Sequence, residues 1–210
     1  PGNRAESGGR VPRAGSARHD VLHDNNDGGD NMKLTRRDVL VVALSAVFAG
    51  GAWAHGPSRQ KVEMTVDIAA PADKVWARVA NFHDMSWHPA VARTEGQGGN
   101  EVGANRVLVL KGAGDPTIAE QLTRYNAEGM TYSYKITEVD VKVLPVNNYT
   151  SHLTVSADGE GKSKVQWRGA FYRGFPNNDP PPELSDQAAI DAVTGVYKAG
   201  LDALKAEMEK

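Results

Sequence analysis

An acidic residue interrupts an otherwise apolar strand pattern. Glu120 lies between Ile118 and Leu122, so strand alternation places its carboxylate on a face that we expect to be apolar. A turn at residues 112–115 puts Arg106 directly opposite it on the neighbouring strand, where opposite charges contact each other. Three interpretations are open: a solvated ion pair at the rim, a buried carboxylate held by Arg106 that orients a polar ligand group, or an acid catalyst with a raised pKa.

Aromatic residues recur on the same face of the predicted strands. Their hydroxyl groups, together with one indole, would be polar points in an apolar chamber that binds a small ligand. The alternative is that these side chains only fill the core. The aromatic candidates for ligand contact are Tyr132, Tyr134, Tyr149, Trp167 and Phe171 on strands, and Tyr197 on a terminal helix.

Histidines offer a weaker case for a metal site. His83 and His88 are five residues apart, and cleavage of an N-terminal signal would make His55 the first residue, which can chelate copper. No cysteine and no His-x-x-x-His spacing supports such a site, so we predict structural or solvent-facing roles for the histidines. No phosphate loop, dinucleotide fingerprint or nucleophile elbow is present. We therefore predict no catalytic residue, no metal and no cofactor.

Composition narrows the class of protein. The 210 residues include 24 basic and 26 acidic side chains and no cysteine. The near-neutral charge argues against a nucleic-acid surface, and the lack of cysteine excludes disulfides and thiolate chemistry. No apolar run reaches the roughly 18 residues that a membrane span needs. One domain with a tail fits this length.

The N-terminal quarter of the chain has the pattern of an export signal. Residues 1–31 have almost no apolar pattern and are interpreted as disordered or as lying upstream of a true start at Met32. Basic residues, including Arg36 and Arg37, then precede an apolar core at 39–50 and the small-x-small site that ends at Ala54. Residues 32–54 are thus predicted to be a cleaved, twin-arginine-like export signal to the periplasm, with a general secretory signal or a short membrane anchor as alternatives.

The remaining residues, 55–210, alternate between strand patterns and Gly-rich turns. The pattern predicts a strand at 61–68, a helix at 72–81 and a turn or second short helix at 83–89. A long C-terminal helix at 184–209 carries an apolar stripe. Such an order predicts an α+β fold in which a curved antiparallel sheet of about seven strands wraps around that helix and leaves a cavity. The other predicted strands are 90–95, 105–110, 117–125, 130–141, 149–157 and 163–173.

Several motifs resemble a known superfamily. Pro71-Ala-Asp-Lys-Val-Trp76, Trp87-His88-Pro89-Ala-Val91 and the Glu120-x-Leu122 pair are similar to the START/Bet v 1-like (SRPBCC, polyketide cyclase/dehydrase and lipid transport) superfamily. The resemblance covers residues 55–210. Residues 169–184 and 193–201 also look like the narrower MxaD-type exported proteins that are associated with methanol oxidation.

The resemblance implies a helix-grip fold whose cavity binds a small hydrophobic or aromatic ligand. For the MxaD-type group it also implies an accessory role beside periplasmic methanol dehydrogenase or its cytochrome c, not the oxidoreductase activity itself. Trp87 and His88 carry over as family residues and join the ligand-contact candidates. No catalytic set transfers, so we expect a non-catalytic protein. A polyketide cyclase-like enzyme that acts on a ligand in the same cavity is the alternative.

Overall fold

The structure is a computed structural model that describes residues 56–210. Residues 1–31, the predicted export signal at 32–54 and His55 lie outside the described residues. No helix in residues 56–210 combines the length and the apolar character that crossing a bilayer requires.

Residues 56–210 form one antiparallel sheet and two α-helices. The sheet has seven strands in the order β1-β7-β6-β5-β4-β3-β2, so the first and last strands pair and the remaining neighbours are hairpins. The strands are β1 (Gln60–Ile68), β2 (Val91–Gln97), β3 (Asn105–Leu110), β4 (Thr117–Asn126), β5 (Thr131–Val139), β6 (Val146–Ala157) and β7 (Ser163–Arg173). The helices are α1 (Ala72–Val79) and α2 (Asp186–Met208), and a 3-10 turn at Pro182–Leu184 precedes α2.

The core lies between the concave face of the sheet and α2. Strand alternation produces it, since every second residue of β7 from Ser163 to Arg173 is buried while the residues between them are not. On α2, the buried line runs through Val193, Tyr197 and Leu204 at helical spacing. Ser185 caps the start of the helix, because its side chain accepts a hydrogen bond from the Ala188 amide.

The predicted fold class is confirmed, and most element bounds lie within two residues of the predicted ones. Strand β6 starts earlier than predicted, at Val146. Val146 and Asn147 already pair with β7, and a register shift separates them from the regular pairing that begins at Thr150. The sequence pattern does not predict a strand at Asn147 and Asn148, because asparagine is depleted from sheets.

The second short helix is absent, and residues 83–89 form turns instead. Two polar side chains explain the difference. Asn81 Oδ1 accepts from the His83 amide and Asp84 Oδ1 accepts from the Ser86 amide, at 3.0 and 2.9 Å. Such side-chain turns compete with helical hydrogen bonding, so the chain bends twice without forming a helix.

Candidate functional site

A buried ion pair lies where β3 faces β4. Arg106 and Glu120 are register partners, and Arg106 Nε donates to Glu120 Oε2 at 2.6 Å. Their side chains are only 1% and 5% exposed. The pairing of β4 with β5 is irregular between Ala119 and Glu120, where a bulge re-aims side chains. The predicted cross-strand contact is confirmed, and the pair is buried rather than solvated or at the rim.

Three other groups fix the guanidinium of Arg106. Its Nη1 donates to the Phe82 carbonyl oxygen, and its Cζ lies 4.1 Å from the Phe82 ring centroid and 5.1 Å from that of Tyr134. Aromatic faces attract such a cation, most strongly where water is excluded. Among residues 56–210, however, Nη2 is buried without a hydrogen-bond partner. The arginine is therefore held rigidly but is not completely satisfied.

Burial raises the pKa of the Glu120 carboxyl, and the nearby Arg106 charge opposes that rise. Burial is the largest single influence on Arg106 and by itself would lower its pKa, but the Glu120 carboxylate, together with Tyr132 and Tyr134, outweighs burial and raises the pKa. The arginine accordingly stays charged, and Glu120 takes up a proton more readily than a surface glutamate does.

A second polar cluster joins α2 to the sheet through hydroxyl groups. Tyr197 Oη on α2 lies 2.6 Å from Tyr149 Oη and 2.9 Å from Ser151 Oγ, both on β6. The indole nitrogen of Trp167 on β7 donates to Ser151 Oγ at 2.9 Å and to Tyr134 Oη at 3.2 Å. The Trp167 and Tyr197 rings also stack, with centroids 4.4 Å apart. We refer to Tyr149, Ser151, Trp167 and Tyr197 as the hydroxyl chain.

The proton order along the hydroxyl chain follows from one bond. Ser151 donates its only hydroxyl proton to the Arg168 carbonyl oxygen, so Tyr197 must donate to Ser151. Because Tyr197 has then used its proton, Tyr149 must donate to Tyr197. Burial raises the pKa of Tyr149 and of Tyr197, which keeps both phenols neutral at pH 7. Tyr134 accepts from Trp167 and has no acceptor for its own proton among residues 56–210.

His88 forms a further hydrogen bond with α2, through the helix backbone. The Ala90 amide donates to His88 Nδ1, so the proton sits on Nε2, which donates to the Val196 carbonyl oxygen at 3.0 Å. Gly200 makes this contact feasible, since a Cβ there would lie 2.6 Å from His88 Cδ2 and 2.9 Å from Trp167 Cζ3. Burial lowers the pKa of His88, and the Val196 hydrogen bond opposes that shift only in part. The imidazole is neutral at pH 7.

A cavity of about 80 Å³ opens between these two clusters. Its polar lining groups are His88, Glu120, Tyr134, Tyr149 and Trp167. One water needs about 10–15 Å³ in a cavity, so this space accepts several waters or one small ring. It is smaller than the roughly 300–1,000 Å³ of drug-sized ligand sites. The apolar wall consists of Met85, Ala90, Val91, Leu108, Leu110, Ile118, Ile136, Val143, Leu144 and Val196.

Residues 59–209 match the family model described as polyketide cyclase / dehydrase and lipid transport. The chain belongs to this family. Members of this Bet v 1-like family bind small hydrophobic ligands, and a cavity between the sheet and the terminal helix is the corresponding feature of this chain.

Solved structures similar to this polyketide cyclase / dehydrase family member support the same fold. The XoxI protein from Bacillus cereus is 28% identical, with a TM-score of 0.59, and the match covers 70% of this chain and 94% of that one. A protein from Nitrosospira multiformis is 26% identical, with a TM-score of 0.58 and coverage of 71% and 96%. Norcoclaurine synthase from Thalictrum flavum, at 17% identity and a TM-score of 0.55, covers 72% and 87% and shares the fold alone. No curated protein is similar enough to this chain to count as a match.

The ten predicted ligand-contact residues of this family member are all buried, but they divide into two layers. Five of them are the polar lining groups of the cavity. The others support that lining from behind, since Phe171 stacks on Tyr149 and Trp87 lies 5.5 Å from Trp167 between ring centroids. The five in this second layer are Trp87, Arg106, Tyr132, Phe171 and Tyr197.

The rings of His83 and His88 both form hydrogen bonds with the backbone. His83 Nε2 lies 3.1 Å from the Asn105 carbonyl oxygen, and both ring nitrogens of His88 are occupied as described above. Within residues 56–210, no three His, Asp or Glu side chains come together as a metal-binding group.

Sequence reasoning missed two residues on which this site depends. Ser151 links two side chains and the Arg168 carbonyl oxygen, and its alternation with Tyr149 and Leu153 was the available signal of an inward-facing hydroxyl. Gly200 interrupts the apolar stripe of α2, and a glycine inside a helix is a signal of close approach by another element.

Proposed function

We propose that this family member is a small-ligand-binding protein whose cavity takes an apolar molecule, one ring or less in size, that carries one polar group. The observation that supports it is the composition of the cavity: apolar side chains on most of the wall, with a few polar groups among them.

The polar groups of the cavity wall indicate which hydrogen-bonding groups a ligand should carry. Tyr134 has an unassigned hydroxyl proton and Tyr149 has free lone pairs, because its own proton goes to Tyr197. Glu120 contributes a carboxyl that faces the cavity beside a rigid arginine. A ligand hydroxyl both donates and accepts, so it would satisfy a tyrosine and the carboxylate at once.

Phenol and toluene test the proposal, since they have nearly the same shape and differ in one hydroxyl. Amide chemical shifts of the ¹⁵N-labelled full chain report binding of each probe. We expect saturable shifts around the cavity for both and roughly tenfold tighter binding of phenol, in line with one buried hydrogen bond to a charged group.

A variant that fills the cavity provides the control. Leu108→Trp places an indole in the cavity wall and should abolish binding of both probes, whereas Val102→Trp, at a side chain 67% exposed in the chain as it stands, should leave binding unchanged. Equal shifts in the two variants would refute the cavity as the binding site.

An accessory role in methanol oxidation is the second candidate function. The resemblance of residues 169–184 and 193–201 to MxaD-type proteins supports it, as does the twin-arginine-like signal predicted at 32–54, which would direct the domain to the periplasm. Adding the full chain to a methanol dehydrogenase and its cytochrome c at low salt should change the rate of electron transfer between them. Identical rates with and without the protein would exclude this role.

Export has its own test. Expression of the full chain with Arg36→Lys and Arg37→Lys should retain a precursor, while the unchanged chain should appear in the periplasm with His55 as its first residue. N-terminal sequencing of both fractions distinguishes these outcomes, and an uncleaved chain in both cases would count against the predicted signal.

A further inference from the structure

The outer face of the sheet carries basic side chains although the chain as a whole has a net charge of −2. Lys61, Arg124, Lys135 and Arg168 lie on this face and are exposed. Among residues 56–210, none of the four forms a salt bridge, whereas most of the other arginines do. Four cations without a salt-bridge partner make this face positive.

Two of these arginines flank a single histidine. Strand register places Arg124, Ser133, His152 and Arg168 in one row across β4, β5, β6 and β7. With a strand spacing of about 4.8 Å, the two arginine Cα atoms are roughly 14 Å apart, a span that two extended arginine side chains bridge. We call this row the arginine–histidine row.

A trough of about 530 Å³ follows the arginine–histidine row. Small residues of β6 and β7, Thr150, Gly169 and Ala170, line it, and Lys61 adds a further cation. Glu63 is its one carboxylate among the described residues, and it accepts a hydrogen bond from Gln166 Nε2 at 2.9 Å. The small residues leave room for an extended chain to approach the sheet backbone.

His152 is held neutral in the middle of the row. Thr131 donates its proton to the Leu153 carbonyl oxygen, so His152 Nε2 donates to Thr131 Oγ1, and His152 Nδ1 accepts from Ser133 Oγ at 2.7 Å. Burial lowers the pKa of His152, and the charges of Arg168 and Arg124 lower it further. The two arginines thus already act on this imidazole.

We infer that the trough is a docking surface for an acidic segment of a partner protein, whose carboxylates are bound by Arg124 and Arg168 above His152. Arginine suits this role because its planar fork binds a carboxylate through two hydrogen bonds. The surface is on the opposite side of the sheet from the cavity, so the inference does not rest on the proposed ligand.

The trough chemistry favours a protein over a membrane surface. Its exposed lining side chains are Lys61, Glu63, Thr123, Arg124, Thr150 and Arg168, all polar or charged. Peripheral membrane binding is normally strengthened by apolar side chains that insert into the bilayer, and none is present in this lining.

Decaglutamate is the probe for the test, added to the ¹⁵N-labelled full chain at low salt. We expect amide shifts concentrated in β4, β5, β6 and β7 around the arginine–histidine row. The ring of His152 should titrate at higher pH in the complex, because a bound carboxylate favours the imidazolium. By linkage, the peptide should bind more tightly as the pH falls from 7.5 toward 6, a range in which its glutamates stay ionised. Arg168 and Arg124 are the charges that act on His152, and Lys61 and Glu63 are the other charged groups that line the same trough.

Matched charge removals decide the location. The Arg124→Gln, Arg168→Gln double variant should bind decaglutamate roughly tenfold more weakly. The Lys142→Gln, Lys162→Gln double variant removes the same charge from exposed sites elsewhere and should change affinity less than twofold. Urea unfolding of both variants establishes that they fold normally.

Three results would overturn the inference. They are an equal loss of affinity in the two double variants, amide shifts located on α1 or α2, and an unchanged His152 titration in the complex. Vesicles that contain phosphatidylglycerol form the last arm: binding to them through the arginine–histidine row, without binding to decaglutamate, would replace the protein partner with an anionic lipid surface.

Discussion

The two polar clusters in the interior are built on different principles. In the hydroxyl chain every proton has an assigned acceptor, and all members are neutral at pH 7. The Arg106–Glu120 pair is charged, equally buried, and leaves Arg106 Nη2 without a partner among residues 56–210. A satisfied neutral network stabilises the contact between two elements, whereas a buried charge pair is costly to desolvate and contributes little net stability.

The two clusters also occupy different places in the fold, although each contributes to the cavity lining. The hydroxyl chain links α2 to β6 and β7 and so determines how the helix lies in the sheet. The ion pair lies within the sheet, and only its acidic partner lines the cavity. If stability alone had shaped this position, apolar side chains would serve as well as the pair does.

Removing one member of the ion pair should have the largest effect. Arg106→Met leaves Glu120 buried and unpaired, so the free energy of unfolding should fall by about 3–5 kcal/mol. Urea unfolding at pH 7 measures this change. The Arg106→Met, Glu120→Leu double variant should recover most of the loss. A double variant as unstable as the single one would contradict the view that the pair is stability-neutral. Arg93→Met, which breaks an exposed pair with Glu95, is the control and should change nothing measurable.

Filling the space at Gly200 tests the contact between helix and sheet. A Cβ there collides with His88 and Trp167, so Gly200→Ala should lower the free energy of unfolding by about 2 kcal/mol. The matched control is on the same helix: a Cβ at Gly195 meets nothing within 4 Å, so Gly195→Ala should raise stability by up to about 1 kcal/mol. If both variants gained stability, the close packing at Gly200 would be disproved.

Deleting single hydroxyls compares the hydroxyl chain with the polar lining of the cavity. Tyr197→Phe leaves the Tyr149 hydroxyl proton without its acceptor and removes one of the two donors to Ser151, so it should cost about 1–2 kcal/mol, with little effect on phenol binding. Tyr134→Phe removes the more distant of the two acceptors of the Trp167 indole proton, while Ser151 remains. This variant should therefore cost less stability than Tyr197→Phe but weaken phenol binding. Calorimetric unfolding and phenol titration of both variants measure the contrast. The reverse pattern would assign the functional role to the hydroxyl chain.

The smallest effect should appear in the pH dependence of stability. Burial lowers the pKa of His88 in the folded state below about 6.5, its value in an unfolded chain. The unfolded state therefore binds more protons just below that pH, and stability should fall as the pH decreases from 6.5 toward the folded pKa. Urea unfolding between pH 7.5 and 5.5 measures the fall, and His88→Gln should flatten it. His152, with a pKa lowered in the same direction, adds to the fall, so His152→Gln is the companion measurement.

Much of this molecule was predictable because its patterns are local. Alternation along β7 and the three-to-four spacing on α2 identify the faces that meet, and the Gly-rich turns require neighbouring strands to be hairpins. Register followed from the position of a single turn, which is why the contact between Arg106 and Glu120 was predictable too. The turns at residues 83–89 were harder, since Asn81 and Asp84 redirect the backbone through side-chain hydrogen bonds that periodicity does not reveal.

The sequence by itself determined the fold class, the inward faces and the pairing of one arginine with one glutamate. Only the tertiary structure decided that this pair is buried, that Ser151 connects a tyrosine of α2 to the sheet, and that the cavity is small. The reason is the distance along the chain over which each property is set. Alternation and helical spacing are properties of residues that are close together in sequence. Solvent access at Glu120 and free volume in the cavity depend instead on how residues far apart in the chain pack around one point.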